Sequence, residues 1–122
     1  MADEILASTK LKLGLPEDYA AFDDDVIDLI NSSFALLQQL GVGPVEGYSI
    51  STGDELWTDF IEQSPVLNYA KELIWLDVSL MFDPPSSSFV TEAKNRRRDE
   101  LIWRINVSVE TREPERGDSE NG

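Results

Sequence analysis

The chain has 122 residues, enough for one domain with a single modest core. It carries 24 Asp and Glu against 10 Lys and Arg, a formal charge of -14 with no His, which excludes neutralising nucleic-acid phosphates or an anionic membrane surface. With neither His nor Cys, the usual general base, the thiolate nucleophile, the best soft or imidazole metal ligands and any disulfide are gone, so neither an enzyme nor a cofactor or metal is expected.

The opening residues MADEILASTKLKLGL lack the basic start and unbroken apolar core of a secretory signal, and folding in a cytoplasm is expected. From Ala2 to Leu13, Ile5, Leu6, Thr9 and Leu13 recur at helical spacing, predicting a short amphipathic helix ended by Gly14. Leu15-Pro16-Glu17-Asp18 is a turn. A second helix opens at Phe22-Asp23-Asp24-Asp25, with Asp23 suited to the N-cap and Phe22 placed to staple against Ile27. Its apolar face is Val26, Ile27, Leu29, Ile30, Phe34, Leu37 and Leu40, and Gly41 stops it. Asp23, Asp24, Asp25 and Asp28 do not have the spacing or the central glycine of a calcium loop, so capping is the favoured role.

Gly41, Gly43, Pro44 and Gly47 mark a long loop, with an extended stretch expected at Gly47 to Ile50. Thr52-Gly53-Asp54-Glu55 reads as a capping box rather than a phosphate nest, since no lysine or glycine-rich fingerprint accompanies it. A short helix follows with Leu56, Trp57, Phe60 and Ile61 on one side. The next helix has unusually clear ends. Ser64 caps it, Pro65 takes the first position where a missing N–H costs nothing, and Pro84-Pro85 stops it after Phe82. Between those ends only Lys71, Glu72 and Asp77 are charged, and apolar residues fall on every face. Such a helix is buried on most sides, and subunit contact is expected to cover any surplus. Asp77 is expected to be a surface or interface charge.

Ser86-Ser87-Ser88 caps a last helix, predicted from Phe89 to Val107, whose apolar residues crowd its two ends. Glu92, Arg96, Glu100 and Arg104 alternate in sign at helical spacing, which favours the helix by a few tenths of a kcal/mol per pair. Arg96-Arg97-Arg98 spreads around the helix among carboxylates, so a solvated or intersubunit salt-bridge face is favoured over a nucleic-acid site. The residues after Val107 are nearly devoid of apolar side chains and read as a flexible acidic tail. The expected architecture is all-α, a small helical bundle of four to five helices with a long loop between helices 2 and 3. Residues 1–107 form the helical domain and 108–122 the tail. Trp57, Trp75 and Trp103, with Arg96, Arg97, Glu100 and Arg104, are the candidate subunit or partner interface, because tryptophan and arginine anchors concentrate at such contacts.

Four segments together resemble the head-to-tail connector family of tailed bacteriophages. They are Phe22-Asp23-Asp24-Asp25 through Leu40-Gly41-Val42-Gly43-Pro44; Leu56-Trp57-Thr58-Asp59; Leu67 through Phe82-Asp83-Pro84-Pro85-Ser86-Ser87-Ser88-Phe89; and Asp99-Glu100-Leu101-Ile102-Trp103-Arg104-Ile105-Asn106. The resemblance covers most of residues 5–107 and implies a structural virion protein at the head-to-tail junction, assembled in the host cytoplasm. It further implies a ring beneath the portal, commonly twelve-fold, that completes the head, meets a downstream tail or stopper protein, and lets DNA pass through. The partners so implied are further copies of the chain, the portal protein and the tail side, with no membrane. The alternative reading of the same acidity is a DNA-mimic that occupies a host DNA-binding protein.

Overall fold

A computed structural model describes the backbone of residues 3–121 and the side chains of residues 3–110. Its described residues form five helices: α1 (Ile5–Lys12), α2 (Asp23–Gln39), α3 (Trp57–Phe60), α4 (Pro65–Phe82) and α5 (Ser88–Asn121). None of them is long and apolar enough to cross a membrane.

α4 is the axis of the bundle. Ser64 Oγ accepts from the Leu67 backbone N–H at 3.2 Å, and Pro65 is the first helical residue, so the start legible in the sequence is the start observed. The double proline then forces the chain back. α5 runs antiparallel along α4, as the pairings Ser79 to Lys94 and Glu72 to Arg97 require. α2 lies antiparallel on another flank, with Phe22 against Phe82 at one end and Ser33 against Asp77 further along. Val66, Leu67, Ala70, Leu73, Ile74 and Val78 of α4 meet Val26, Ile30, Phe34 and Leu37 of α2 and Leu101 and Ile105 of α5 in one continuous core. Thus one polypeptide covers most of the helix whose apolar surface was expected to need a neighbour.

α2 ends in a Schellman motif. Val42 N–H bonds Leu37 O at 2.9 Å and Gly41 N–H bonds Gln38 O at 3.0 Å, with Gly41 at φ 86°. The loop beyond is pinned back onto α2. Asn31 donates to Ile50 O at 2.9 Å and accepts from Ile50 N–H at 2.8 Å, while Gln38 Nε2 donates to Val45 O at 2.8 Å. The chain start pairs with the far end of the same loop through Ile5 N–H to Glu55 O at 2.9 Å and Trp57 N–H to Asp3 O at 3.2 Å.

Three local expectations are corrected. Asp23 is inside α2 and does not cap it; its carboxylate instead meets Lys10 Nζ at 2.8 Å. Glu55 does reach back to the Thr52 N–H at 3.2 Å, but this closes a turn ahead of α3. The helix itself starts later, where Asp59 Oδ2 accepts from Leu56 N–H at 2.9 Å. Finally, the α5 backbone continues past Val107 to Asn121, and Val109 still packs on the core. Most of the acidic segment expected to be a flexible tail lies outside the residues whose side chains are described.

Candidate functional site

The candidate interface residues fall into two groups, one turned inward and one outward. Arg97 of α5 faces α4. Its Nε and Nη2 bond both Glu72 oxygens at 2.7 and 2.8 Å, and Nη1 lies 3.0 Å from Glu100. Glu100 also accepts from Arg104 Nε and Nη2 at 3.0 and 2.9 Å. The Arg97 hydrogen bonds hold the Glu72 carboxyl below the usual carboxylate range, and those from Arg104 and then Arg97 do the same for Glu100. Glu72 and Glu100 reciprocally hold the Arg97 guanidinium firmly charged. A planar guanidinium matched to a carboxylate in this two-point way is the strong form of an ion pair. It closes the α4–α5 seam within one chain.

Arg98 goes deeper. It pairs with Asp77, which is 6% exposed and also accepts from Ser33 Oγ of α2 at 3.3 Å. Asp77 is therefore a buried, partnered charge and not the surface or interface charge expected. It is no isolated acid of the kind that marks a catalytic site. Of the arginine triplet only Arg96 is left loosely held, 3.9 Å from an exposed Glu92.

The three tryptophans divide the same way. Trp57 is 2% exposed; its indole N–H donates to Ser8 Oγ at 2.8 Å, and its ring lies 6.4 Å from Phe34 and 6.1 Å from Trp75. It is a core residue and offers no surface. Trp75 is half-buried beside it, with Lys12 Nζ 4.7 Å from its ring centroid. Trp103 is 62% exposed. At about 100° per residue, Phe89, Arg96, Trp103 and Val107 fall within roughly 40° of one another on α5. Phe89 is 76% exposed, so this outward stripe is apolar at both ends and charged between. The surplus apolar surface belongs to α5 more than to α4.

Sequence reasoning missed Lys10. It is 2% exposed, reaches Asp23 at 2.8 Å and the Glu17 carbonyl at 2.8 Å, and so ties α1 to the start of α2. The rest of the acidic run, Asp24, Asp25 and Asp28, is exposed; Asp25 and Asp28 border an open groove of about 580 Å³ with Phe22, Met81 and Phe82.

The fold and these faces define a class first: a small all-α module whose exposed features are an apolar stripe, an acidic rim and, between α1 and α5, a groove over α4. The chain belongs to the phage connector protein family, whose model matches residues 5–112. No curated protein and no solved structure matches it. The family is one of structural proteins of the head-to-tail connection, which places this chain among virion components that contact other head or tail proteins.

Proposed function

We propose that the protein is the subunit of a ring seated beneath the portal, following its twelve-fold order, that joins head to tail and leaves a duct for DNA. The observation that carries this reading is the family match over residues 5–112. The exposed α5 stripe of Phe89, Trp103 and Val107 supports it, because aromatic residues facing water on an otherwise charged helix are the anchors of a contact. In this reading the stripe, with Arg96 at its centre, meets the portal or the next protein on the tail side. The -14 charge supports the duct, since carboxylates around a bore repel phosphates and keep the genome from adhering. No catalytic step is assigned. The DNA-mimic alternative draws no support from the family match.

The deciding experiment is electron microscopy of the protein mixed with its portal, alongside particles assembled without it. Rings on the portal and tailless, leaking heads in its absence are expected. Normal tailed particles lacking the protein would overturn the proposal.

A further inference from the structure

In a chain of charge -14, two copies repel wherever carboxylates meet carboxylates, so the location of unspent positive charge decides where they can touch. Most cations are spent internally. Lys10 is paired with Asp23, Arg97 with Glu72, Arg98 with Asp77 and Arg104 with Glu100, while Arg96 stays loosely held 3.9 Å from an exposed Glu92 on the α5 stripe. Among the described residues Lys12, Lys71 and Lys94 form no close ion pair with a carboxylate, Lys12 acting on Glu72 only at longer range, and all three line one groove. That groove is open, about 570 Å³, and lies on α4 between the end of α1 and the start of α5, with Trp75 in its wall.

The ammonium groups are held rather than free. Lys12 sits over the Trp75 ring at 4.7 Å, Lys71 lies 5.8 Å from the Trp57 ring centroid, and Lys94 donates to Ser79 Oγ at 2.9 Å. None of these contacts neutralises charge. The one carboxylate in the wall, Glu72, is already taken by Arg97. The groove is thus a fixed cationic socket with an aromatic wall in a strongly anionic protein.

The matching surface is on the same chain. Asp24, Asp25 and Asp28 are exposed, and Asp25 and Asp28 share a groove with apolar Met81. The two surfaces face apart. Ser33 of α2 and Asp77 of α4 mark where those helices touch. At about 100° per residue, Trp75 lies roughly 160° around α4 from Asp77, while around α2 from Ser33 Asp24 lies roughly 180°, Asp28 roughly 140° and Asp25, at the near edge of the rim, roughly 80°. Complementary patches on different faces of one subunit make a heterologous contact, the kind that closes into a ring when its rotation closes.

We propose that the Lys12, Lys71 and Lys94 groove around Trp75 receives the Asp24, Asp25 and Asp28 rim of a second copy of this chain. This rests on the ring reading above and supplies the faces that would make it.

Charge reversal tests it on the full chain. Lys12→Glu with Lys71→Glu makes a socket variant; Asp24→Lys with Asp28→Lys makes a rim variant. Where wild type assembles, each variant alone is expected to associate about ten-fold or more weakly. An equal mixture of the two is expected to regain assembly, because each reversed face then meets a complementary one. Circular dichroism checks that both variants keep their helices. Should the rim variant unfold, single-cysteine chains Lys71→Cys and Asp25→Cys, joined by a short bifunctional reagent, give the same answer against a background free of native Cys. The expected product links 71 to 25. Undiminished assembly of the socket variant, or 71–71 and 25–25 links in place of 71–25, overturns the socket while leaving the connector reading intact. A wild-type chain that never self-associates, alone or on the portal, overturns both.

Discussion

Arg98 on α5 and Asp77 on α4 form an ion pair in which the two partners have unequal access to water: the Asp77 side chain is 8% exposed and that of Arg98 30%. Removing the arginine strands a buried carboxylate with only Ser33 for company. Removing the carboxylate leaves a guanidinium that can turn toward solvent. Arg98→Ala should therefore destabilise the chain by about 3 kcal/mol, and Asp77→Asn by about 1 kcal/mol. Urea denaturation followed by circular dichroism measures both, and a larger loss for Asp77→Asn would contradict the asymmetry.

The pair between Glu72 and Arg97 has a pH signature. Its carboxyl is held below the usual range by the Arg97 hydrogen bonds, so the folded state binds a proton less readily than the unfolded state. Stability from this pair is then complete above the ordinary glutamate pKa and lost as pH falls through the lowered one. Both side chains are over a third exposed, which limits the pair to roughly 1 kcal/mol. The stability gap between wild type and Glu72→Gln should stay constant from about pH 7 to about pH 5 and close on further acidification.

Trp57 and Trp103 should respond oppositely to truncation. Trp57→Ala empties a core site shared with Phe34 and breaks the bond to Ser8, at a cost of about 3 to 5 kcal/mol. Trp103→Ala should change monomer stability by no more than about 0.5 kcal/mol, while weakening binding to portal or tail-side protein. Thermal unfolding and co-sedimentation separate the two readouts. A Trp103→Ala chain that binds as well as wild type would remove the α5 stripe from the contact.

Gly43 is held at φ 93°, and a Cβ built there would stand 2.5 Å from Cε1 of Phe60, a buried ring with Phe34 4.7 Å away. The loop backbone and α3 thus meet too closely for any side chain. Gly43→Ala should lose about 1 to 3 kcal/mol, visible as a lowered Tm with helix content retained.

What the sequence made legible were features with local causes. The ends of α4 follow from Ser64-Pro65 and Pro84-Pro85, and the stop of α2 from Gly41, because caps and prolines act within a few residues of themselves. Charges were harder. Asp77 sits between Leu76 and Val78 in a pattern identical to that of an interface residue; only the return of α5 across α4 brings Arg98 to it. Lys10 and Asp23 likewise meet through a turn whose path no local motif encodes. The apolar surplus was real but misplaced. α2 and α5 together enclose α4, so the exposed aromatic surface passes to Phe89 and Trp103 on α5, whose spacing at the two ends of the helix was visible while its outward direction was not.

The short elbow at Pro84-Pro85 sets how the molecule bears load. α5 is clamped lengthwise to α4 by Lys94 on Ser79, Arg98 on Asp77 and Arg97 on Glu72, spread over about two turns of α4. A pull along α5 is shared among these clamps in shear instead of peeling them open one after another. Sliding the two helices past one another would require all three clamps to yield together.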